Sequence, residues 1–205
     1  FYQENGVSPK GMLRAVIVAI KGGGATQGGS TITQQYVKNY FLSSDRTLTR
    51  KYKEILLSIK IDQQQSKQQI LENYLNTIYY GRGAYGIETA AQAYYGKPAK
   101  DLTVEEAAVL ASVIRGPSLY DPQLGPEQLK NLQTRWAYVL DGMVSQGWLD
   151  QGTRAAMQFP MPVEWKPRSA SGTNGYLVQL IKAELRSKLQ LTDADIDRGG
   201  LQIVS

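Results

Sequence analysis

The chain has 205 residues, 42% hydrophobic and 20% charged, a composition that can bury a core and excludes a disordered polymer. It contains neither cysteine nor histidine, which excludes disulfides, thiolate chemistry and Ser-His or Cys-His catalysis. The formal net charge is +5, and residues 1–60 hold nine Lys or Arg against three Asp or Glu. This local excess favours an anionic partner, although a solvated basic face would give the same balance.

A glycine-rich stretch over residues 22–29 leads into the first predicted helix. Thr31 is the expected N-cap of this helix, with Gln34 at its third position. Free N–H groups there, with Lys38 about two turns along, would suit an anion, whereas a flexible loop with an ordinary cap would need no ligand. A P-loop is disfavoured, because Gly29 stands where that motif requires its lysine.

Two amphipathic helices are predicted next. One carries an apolar stripe at helical spacing, and the second repeats the pattern after a Ser66 cap with Gln69 at the third position. On the first helix, Glu54 would project about 145° from the centre of the apolar face, beside Arg50 one turn earlier. That geometry predicts a solvent or cleft position for Glu54, with a plain surface ion pair as the alternative. The two stripes are Leu48, Tyr52, Ile55, Leu56 and Ile59, and Ile70, Leu71, Tyr74, Leu75 and Ile78.

Helical patterns continue through the middle of the chain. Residues 84–95 form a small-residue helix that Gly96 would end, and Thr103 with Glu106 predicts a capping box opening another. A further helix is predicted over residues 129–143. The letters Gly-x-Gly-x-x-Gly over residues 81–86 match a dinucleotide fingerprint. A helix rather than a strand precedes them, so a tight helix–helix turn is predicted instead.

The last part of the chain changes character after residue 159. A proline-rich stretch and then small polar residues predict a boundary near residue 160. One helix over residues 176–189 and a strand-like run over residues 201–204 are expected to follow. No run approaches the ~20 apolar residues that a membrane-spanning helix needs.

Several short stretches carry closely spaced polar residues: Gln27-Gly-Gly-Ser-Thr-Ile-Thr-Gln-Gln35 with Lys38-Asn39, Arg50-Lys-Tyr-Lys-Glu54, and Lys67-x-x-Ile-Leu-x-x-Tyr-Leu-Asn76. Together and in this order they closely resemble the peptidoglycan glycosyltransferase domain of class A penicillin-binding proteins. Residues 1–6, 79–87 and 117–122 resemble further signatures of that family, and the likeness covers about residues 1–150. Residues 198–205 resemble the strand that leads to its transpeptidase domain.

The resemblance implies a mainly α (α+β), lysozyme-like fold with a large helical lobe and a small membrane-associated jaw. Apolar residues of 12–20 and 36–42 are expected to belong to the jaw. An N-terminally truncated glycosyltransferase domain is expected over residues 1–160, and a short helix/strand linker toward an absent transpeptidase domain over residues 161–205. The expected location is the extracytoplasmic face of the bacterial cell membrane, with the anchor helix outside this chain.

The activity implied by the resemblance is the polymerisation of lipid-linked disaccharide-peptide (lipid II) into glycan strands. In this family an upstream Glu, expected before Phe1, deprotonates the acceptor hydroxyl, and the inverting transfer expels lipid pyrophosphate. Glu4 stands where the family usually has His. Expected partners are the growing glycan strand, the outer leaflet of the cytoplasmic membrane, phosphoglycolipid inhibitors and cell-wall synthesis or division proteins. Nucleic acid is not expected.

Glu54 corresponds by resemblance to the second essential carboxylate of the family. Its role would be to hold cations in place, to carry a divalent ion such as Mg or Mn, or to assist departure of the leaving group. The sequence itself requires no cofactor. The resemblance assigns basic residues to the pyrophosphate and polar residues to the saccharide, and the expected substrate-binding set is Ser30, Thr31, Gln34, Gln35, Lys38, Arg46, Arg50, Lys51, Lys53 and Asn76.

Three other functions fit parts of the pattern. A lysozyme-like enzyme that cleaves glycan would use carboxylates in a similar cleft. Its reaction releases no pyrophosphate, however, so the clustered basic residues would have no leaving group to bind. A catalytically inactive scaffold would bind the precursor without turning it over. A basic nucleic-acid binder would show steep salt dependence, but no recognisable module supports it.

Overall fold

The computed structural model describes residues 1–3, 6–8, 30–41, 48–166, 172–191 and 196. Within these ranges the regular structure is helical, apart from one isolated antiparallel bridge between Tyr79 and Tyr85. The predicted mainly helical class is therefore confirmed there, while the strand-like run over residues 201–204 and the residues 12–20 assigned to the jaw lie outside the described residues. None of the described helices is both long and apolar enough to cross a bilayer.

The helices fall into two compact units, Phe1–Ile78 and Tyr79–Ser205. The first contains α1 (Ile32–Phe41), α2 (Leu48–Gln64) and α3 (Lys67–Thr77). The second contains α4 (Ile87–Tyr95), α5 (Val104–Val113), α6 (Pro117–Tyr120), α7 (Pro126–Ser145), α8 (Gln151–Ala156) and α9 (Gly172–Leu189), with 3₁₀ turns at Ala99–Asp101 and Pro122–Leu124. The boundary predicted near residue 160 stays a prediction.

In the first unit, α1 packs against both α2 and α3. The start of α3 matches its prediction, because Ser66 Oγ accepts from the Gln69 N–H while the Gln69 side chain accepts from the Ser66 N–H. This reciprocal pair satisfies two backbone donors that the helix itself leaves open. Buried apolar side chains join the three helices, and they are Tyr36, Val37, Ile61, Ile70, Tyr74 and Ile78.

The orientation of α2 differs from the prediction. The apolar stripe faces outward, with Tyr52 64%, Leu56 48% and Ile59 37% exposed. The opposite face is buried and carries Glu54 and Ser58. Polar groups can be buried when they are hydrogen-bonded, and here Ser58 Oγ donates to the Glu54 carbonyl at 2.6 Å while Glu54 is ion-paired. Periodicity alone ranked the faces by hydropathy and did not predict the burial of this ion-paired carboxylate.

In the second unit, the predicted helices are confirmed with small shifts of their ends. The capping box of Thr103 and Glu106 opens α5, and Gly96 ends α4 in the left-handed conformation at φ +66°. Both features were expected from the sequence. Aromatic and aliphatic side chains fill this core: Tyr80, Tyr94, Val109, Leu110, Leu132, Trp136 and Leu140.

The glycine-rich letters over residues 81–86 form the predicted tight turn. Gly81 has φ +87°, and a Cβ there would meet the Pro117 Cβ at 2.8 Å, so only glycine fits. Arg82 also has a positive φ, +55°, and its buried guanidinium donates to Asp121 Oδ1 at 2.9 Å. It donates as well to the carbonyls of Ala93 at 3.0 Å and Val163 at 2.9 Å. One side chain thus attaches the extended segment around residue 163 to the helices of this unit.

Candidate active site

A buried carboxylate on α2 is the centre of the candidate site. The Glu54 side chain is 1% exposed, and each of its oxygens accepts from a different cation. Arg50 Nη1 donates to Oε2 at 2.9 Å, and Lys51 Nζ donates to Oε1. Residues three and four positions apart lie on the same face of a helix, so the spacing Arg-Lys-x-x-Glu produces this arrangement directly. The cluster carries two positive charges and one negative charge.

The burial of Glu54 corrects one expectation. A solvent or cleft position was predicted, but the side chain is enclosed while its partners reach outward, Arg50 18% and Lys51 39% exposed. Burying a charge without a partner is costly, and the two cations offset that cost. The buried carboxylate therefore holds two partly exposed cations.

The capped start of α1 forms a second side of the site. Thr31 Oγ1 accepts from the Gln34 N–H at 3.1 Å and Gln34 Oε1 accepts from the Thr31 N–H at 2.9 Å, which confirms the predicted cap. The Thr31 hydroxyl also donates to the carbonyl of Gly6 at 2.6 Å. Thr31 and Gln34 are buried, 8% and 0% exposed, so in this arrangement they fix the start of the helix.

The segment before α1 meets α2 through Ser30. Lys51 Nζ donates to Ser30 Oγ at 3.1 Å, so this ammonium contacts both Ser30 and Glu54. Gln35 Nε2 donates to the Ser30 carbonyl at 3.3 Å, and Tyr74 Oη donates to Gln35 Oε1 at 3.3 Å. Hydrogen bonds therefore link α1, α2 and α3 around the carboxylate.

A close approach of backbones supports the same region. Gly6 has φ +71°, and a Cβ at this position would meet the Ser58 carbonyl oxygen at 2.7 Å. Ser58 lies one turn after Glu54, and its hydroxyl donates to the Glu54 carbonyl. Gly6 thus allows the segment that contains it to lie against the helix that carries the carboxylate.

The structure brings together some predicted site residues and leaves others apart. Ser30, Arg50, Lys51 and Glu54 form one bonded cluster, with Thr31, Gln34 and Gln35 at the adjoining helix start. Within the described ranges, three other predicted residues are exposed and take no part in these bonds: Lys38, Lys53 and Asn76. Arg46 lies outside the described residues, as do Glu4 and the stretch 22–29.

Sequence reasoning missed Gly6, Ser58 and Tyr74 as members of the site. Tyr74 was interpreted only as a residue of the apolar stripe, and it is indeed buried, 5% exposed. Its position within the quoted stretch Tyr-Leu-Asn76 was the available signal. Burial raises the pKa of Tyr74, so its hydroxyl stays protonated and able to donate at neutral pH.

The residues around Glu54 do not fit a divalent cation. Mg and Mn ions prefer several oxygen ligands, and each Glu54 oxygen already accepts from a positively charged donor. The described residues also include no group of three or more acidic side chains that could hold a metal ion. The carboxylate is therefore arranged to hold the Arg50 and Lys51 side chains.

Comparisons with known proteins agree with the quoted motifs. A family model described as transglycosylase matches residues 1–144. Penicillin-binding protein 1A of Mycolicibacterium smegmatis is 42% identical over 213 residues, covering 100% of this chain and 27% of that protein. Its Mycobacterium tuberculosis counterpart is 41% identical, covering 100% and 26%, and penicillin-binding protein 2D of Bacillus subtilis is 39% identical, covering 99% and 29%.

The chain thus spans about a quarter of the length of these curated relatives. Among solved structures, penicillin-binding protein 1A from Haemophilus influenzae aligns with a TM-score of 0.45 at 20% sequence identity. That alignment covers 80% of this chain and 20% of the other.

Proposed function

The chain belongs to the transglycosylase family, and from that premise we propose that it polymerises lipid-linked disaccharide-peptide (lipid II) into peptidoglycan glycan strands. The 4-hydroxyl oxygen of the acceptor sugar attacks the anomeric carbon of the donor with inversion. The bond from that carbon to the pyrophosphate oxygen breaks, and its electron pair leaves with the lipid pyrophosphate. The hydroxyl proton goes to a carboxylate base, which we propose to be the catalytic Glu of the family's first motif.

The observation that carries this proposal is the cation pair held on Glu54. A departing pyrophosphate gains negative charge in the transition state, and cations already fixed in position stabilise it without reorganising. Arg50 and Lys51 are held on one carboxylate and remain partly exposed, so both can reach an anionic group. The cluster keeps one net positive charge after Glu54 is counted.

This geometry favours one of the three roles considered for Glu54. With a cationic donor on each oxygen, the carboxylate fixes the direction of both side chains and is poorly placed to abstract a proton from substrate. Its contribution to the reaction is then preorganisation of the cations. Direct assistance to the leaving group would come from Arg50 and Lys51.

The polar residues around Ser30 are suited to the saccharide. Lys51 donates to the Ser30 oxygen, which leaves the Ser30 hydroxyl hydrogen as a donor for a sugar oxygen. We assign Gln35 to the same role. We assign Lys38, Arg46 and Lys53 to contacts with the pyrophosphate or sugar phosphate, and Asn76 to a further contact with the substrate. Thr31 and Gln34 support these contacts from within the helix start.

The location and partners follow from the proposed substrate. A lipid-linked precursor requires work at the membrane surface, and we place this activity on the extracytoplasmic face of the bacterial cell membrane. Partners are then the growing glycan strand, phosphoglycolipid inhibitors that imitate the lipid phosphate, and proteins of cell-wall synthesis or division. No metal or other cofactor is assigned a step.

The test is glycan synthesis by the full-length protein from purified lipid II, with and without a phosphoglycolipid inhibitor. Inhibitor-sensitive polymer from the parent, lost in Glu54→Gln and kept in Glu72→Gln, supports the proposal. Glu72 is a suitable control because it is exposed on α3 of the same unit. Cleavage of preformed glycan would instead identify a hydrolase, and precursor binding without polymer would identify a scaffold.

A further inference from the structure

Tyr74 is a buried residue of α3 whose hydroxyl is directed at the candidate site. Its side chain is 5% exposed, and Oη lies 3.3 Å from Gln35 Oε1 on α1. Packing alone would be served equally well by phenylalanine. The hydroxyl is therefore the part of this side chain that needs a separate explanation.

The side-chain amide of Gln35 links Tyr74 to Ser30, and its orientation is fixed. Its Nε2 lies 3.3 Å from the Ser30 carbonyl oxygen, which can only accept. Nε2 must therefore face Ser30, and Oε1 must face the donating hydroxyl of Tyr74. Loss of that hydroxyl would leave the amide held at one end only.

Ser30 connects the Gln35 amide to the cations held on Glu54. Its Oγ accepts from Lys51 Nζ at 3.1 Å, and the same ammonium donates to Glu54. An ammonium on a flexible four-carbon chain has no intrinsic direction, so its acceptors decide where it points. Ser30 is the acceptor of Lys51 that Gln35 and Tyr74 hold in place.

We propose that Tyr74 is a positioning residue, which acts through Gln35 and Ser30 to direct the Lys51 ammonium beside Glu54. The inference rests on the proposed function for its catalytic consequence. Tyr74 itself touches no reacting atom. Its hydroxyl lies at one end of a series of hydrogen bonds, and the Glu54 carboxylate lies at the other end.

The matched variants are Tyr74→Phe and Tyr36→Phe, made in the full-length protein. Each removes one hydroxyl from a buried tyrosine of the first unit, but Tyr36 Oη has no hydrogen bond within the described residues. For Tyr74→Phe we expect kcat to fall roughly fivefold with KM nearly unchanged, and Tyr36→Phe to match the parent. Equal kcat values for the two variants would overturn the inference.

A second variant separates positioning from a merely structural effect. If Tyr74 acts through Ser30, Tyr74→Phe should cause no further loss of kcat in a Ser30→Ala background. Losses that multiply would show that Tyr74 acts independently of Ser30, and would contradict the inference. The fraction of folded protein in each variant is measured by circular dichroism, so that kcat refers to active enzyme.

A readout without turnover keeps this inference distinct from the proposed function. Acetic anhydride labelling of Lys51, followed by mass spectrometry, should be about twofold to threefold faster in Tyr74→Phe than in Tyr36→Phe, because a weakly held ammonium spends more time free. Unchanged labelling would overturn the positioning role. Absence of polymer from the parent protein would overturn the proposed function, and the labelling result would still test the position of Lys51.

Discussion

Lys51 Nζ lies 3.1 Å from Ser30 Oγ, although 21 positions separate the two residues in the chain. This bond joins the segment before α1 to the helix that carries Glu54. The charged donor makes it stronger than a bond between neutral groups. Two motifs that the sequence shows only as separate stretches are thereby connected through one ammonium.

Glu54→Gln should reduce polymerisation nearly to background and lower stability as well. The neutral amide cannot hold two cations, so Arg50 and Lys51 lose the acceptor that orients them. Because the carboxylate is buried but Lys51 is 39% exposed, solvent moderates the destabilisation to about 1–3 kcal/mol. Glycan synthesis and urea unfolding of the same samples measure the two effects. Near-normal turnover would rule out the assignment of Glu54.

Gly6→Ala should destabilise the first unit by about 2 kcal/mol. The added methyl would lie 2.7 Å from the Ser58 carbonyl oxygen, and φ is +71°. Gly96→Ala is the matched control, since φ there is +66° but nothing lies within 4 Å of the added atom. The control should cost only about 1 kcal/mol. Thermal unfolding compares the two, and equal losses would show that the contact with Ser58 adds nothing.

Much of the fold was predictable because its signals are local. The caps of α1, α3 and α5 depend on residues three positions apart. Gly96 ends α4 because its own backbone adopts the left-handed conformation. The family was also predicted correctly, because its motifs are contiguous in the chain.

The site was only partly predictable because its contacts are distant in sequence. The inward face of α2 depends on ion pairs that hydropathy does not weigh. The bond from Tyr74 to Gln35 spans 39 positions, and no periodic pattern marks it. The carboxylate and its cations were identified from the motif, whereas the burial of Glu54 and the bond from Lys51 to Ser30 required the folded structure.

Lys38→Ala should weaken binding of a phosphoglycolipid inhibitor without affecting stability. Lys38 is exposed in the last turn of α1, so its removal disrupts no packing, while one fewer cation lowers the attraction for an anionic ligand. We expect a roughly fivefold rise in Kd at low salt and a smaller rise at high salt. Lys100→Ala, an exposed charge of the second unit, is the control. Identical affinities for the two variants would return Lys38 to a solvated surface role.

Arg82→Lys should destabilise the second unit by about 3 kcal/mol despite keeping the charge. Arg82 donates to Asp121 and to the carbonyls of Ala93 and Val163, and one ammonium cannot reproduce that planar set of donors. Arg115→Lys, at an exposed site, should change stability by less than about 0.5 kcal/mol. Urea unfolding distinguishes the two. Limited proteolysis around residue 163 should also become faster in Arg82→Lys alone, because that segment loses an attachment.

The capping box of α5 should make stability depend on pH. Burial raises the pKa of Glu106, but hydrogen bonds from Lys97 and Thr103 outweigh it and hold this pKa below its ordinary value. A carboxyl with a lowered folded-state pKa stabilises the protein above its unfolded-state pKa, and the contribution disappears as the pH falls through the folded-state value. Glu106→Gln should therefore lower Tm at pH 7 and have little effect near pH 3. The exposed control Glu127→Gln should change Tm little at either pH. A loss for Glu106→Gln that is the same at both pH values would show that charge contributes nothing to this cap.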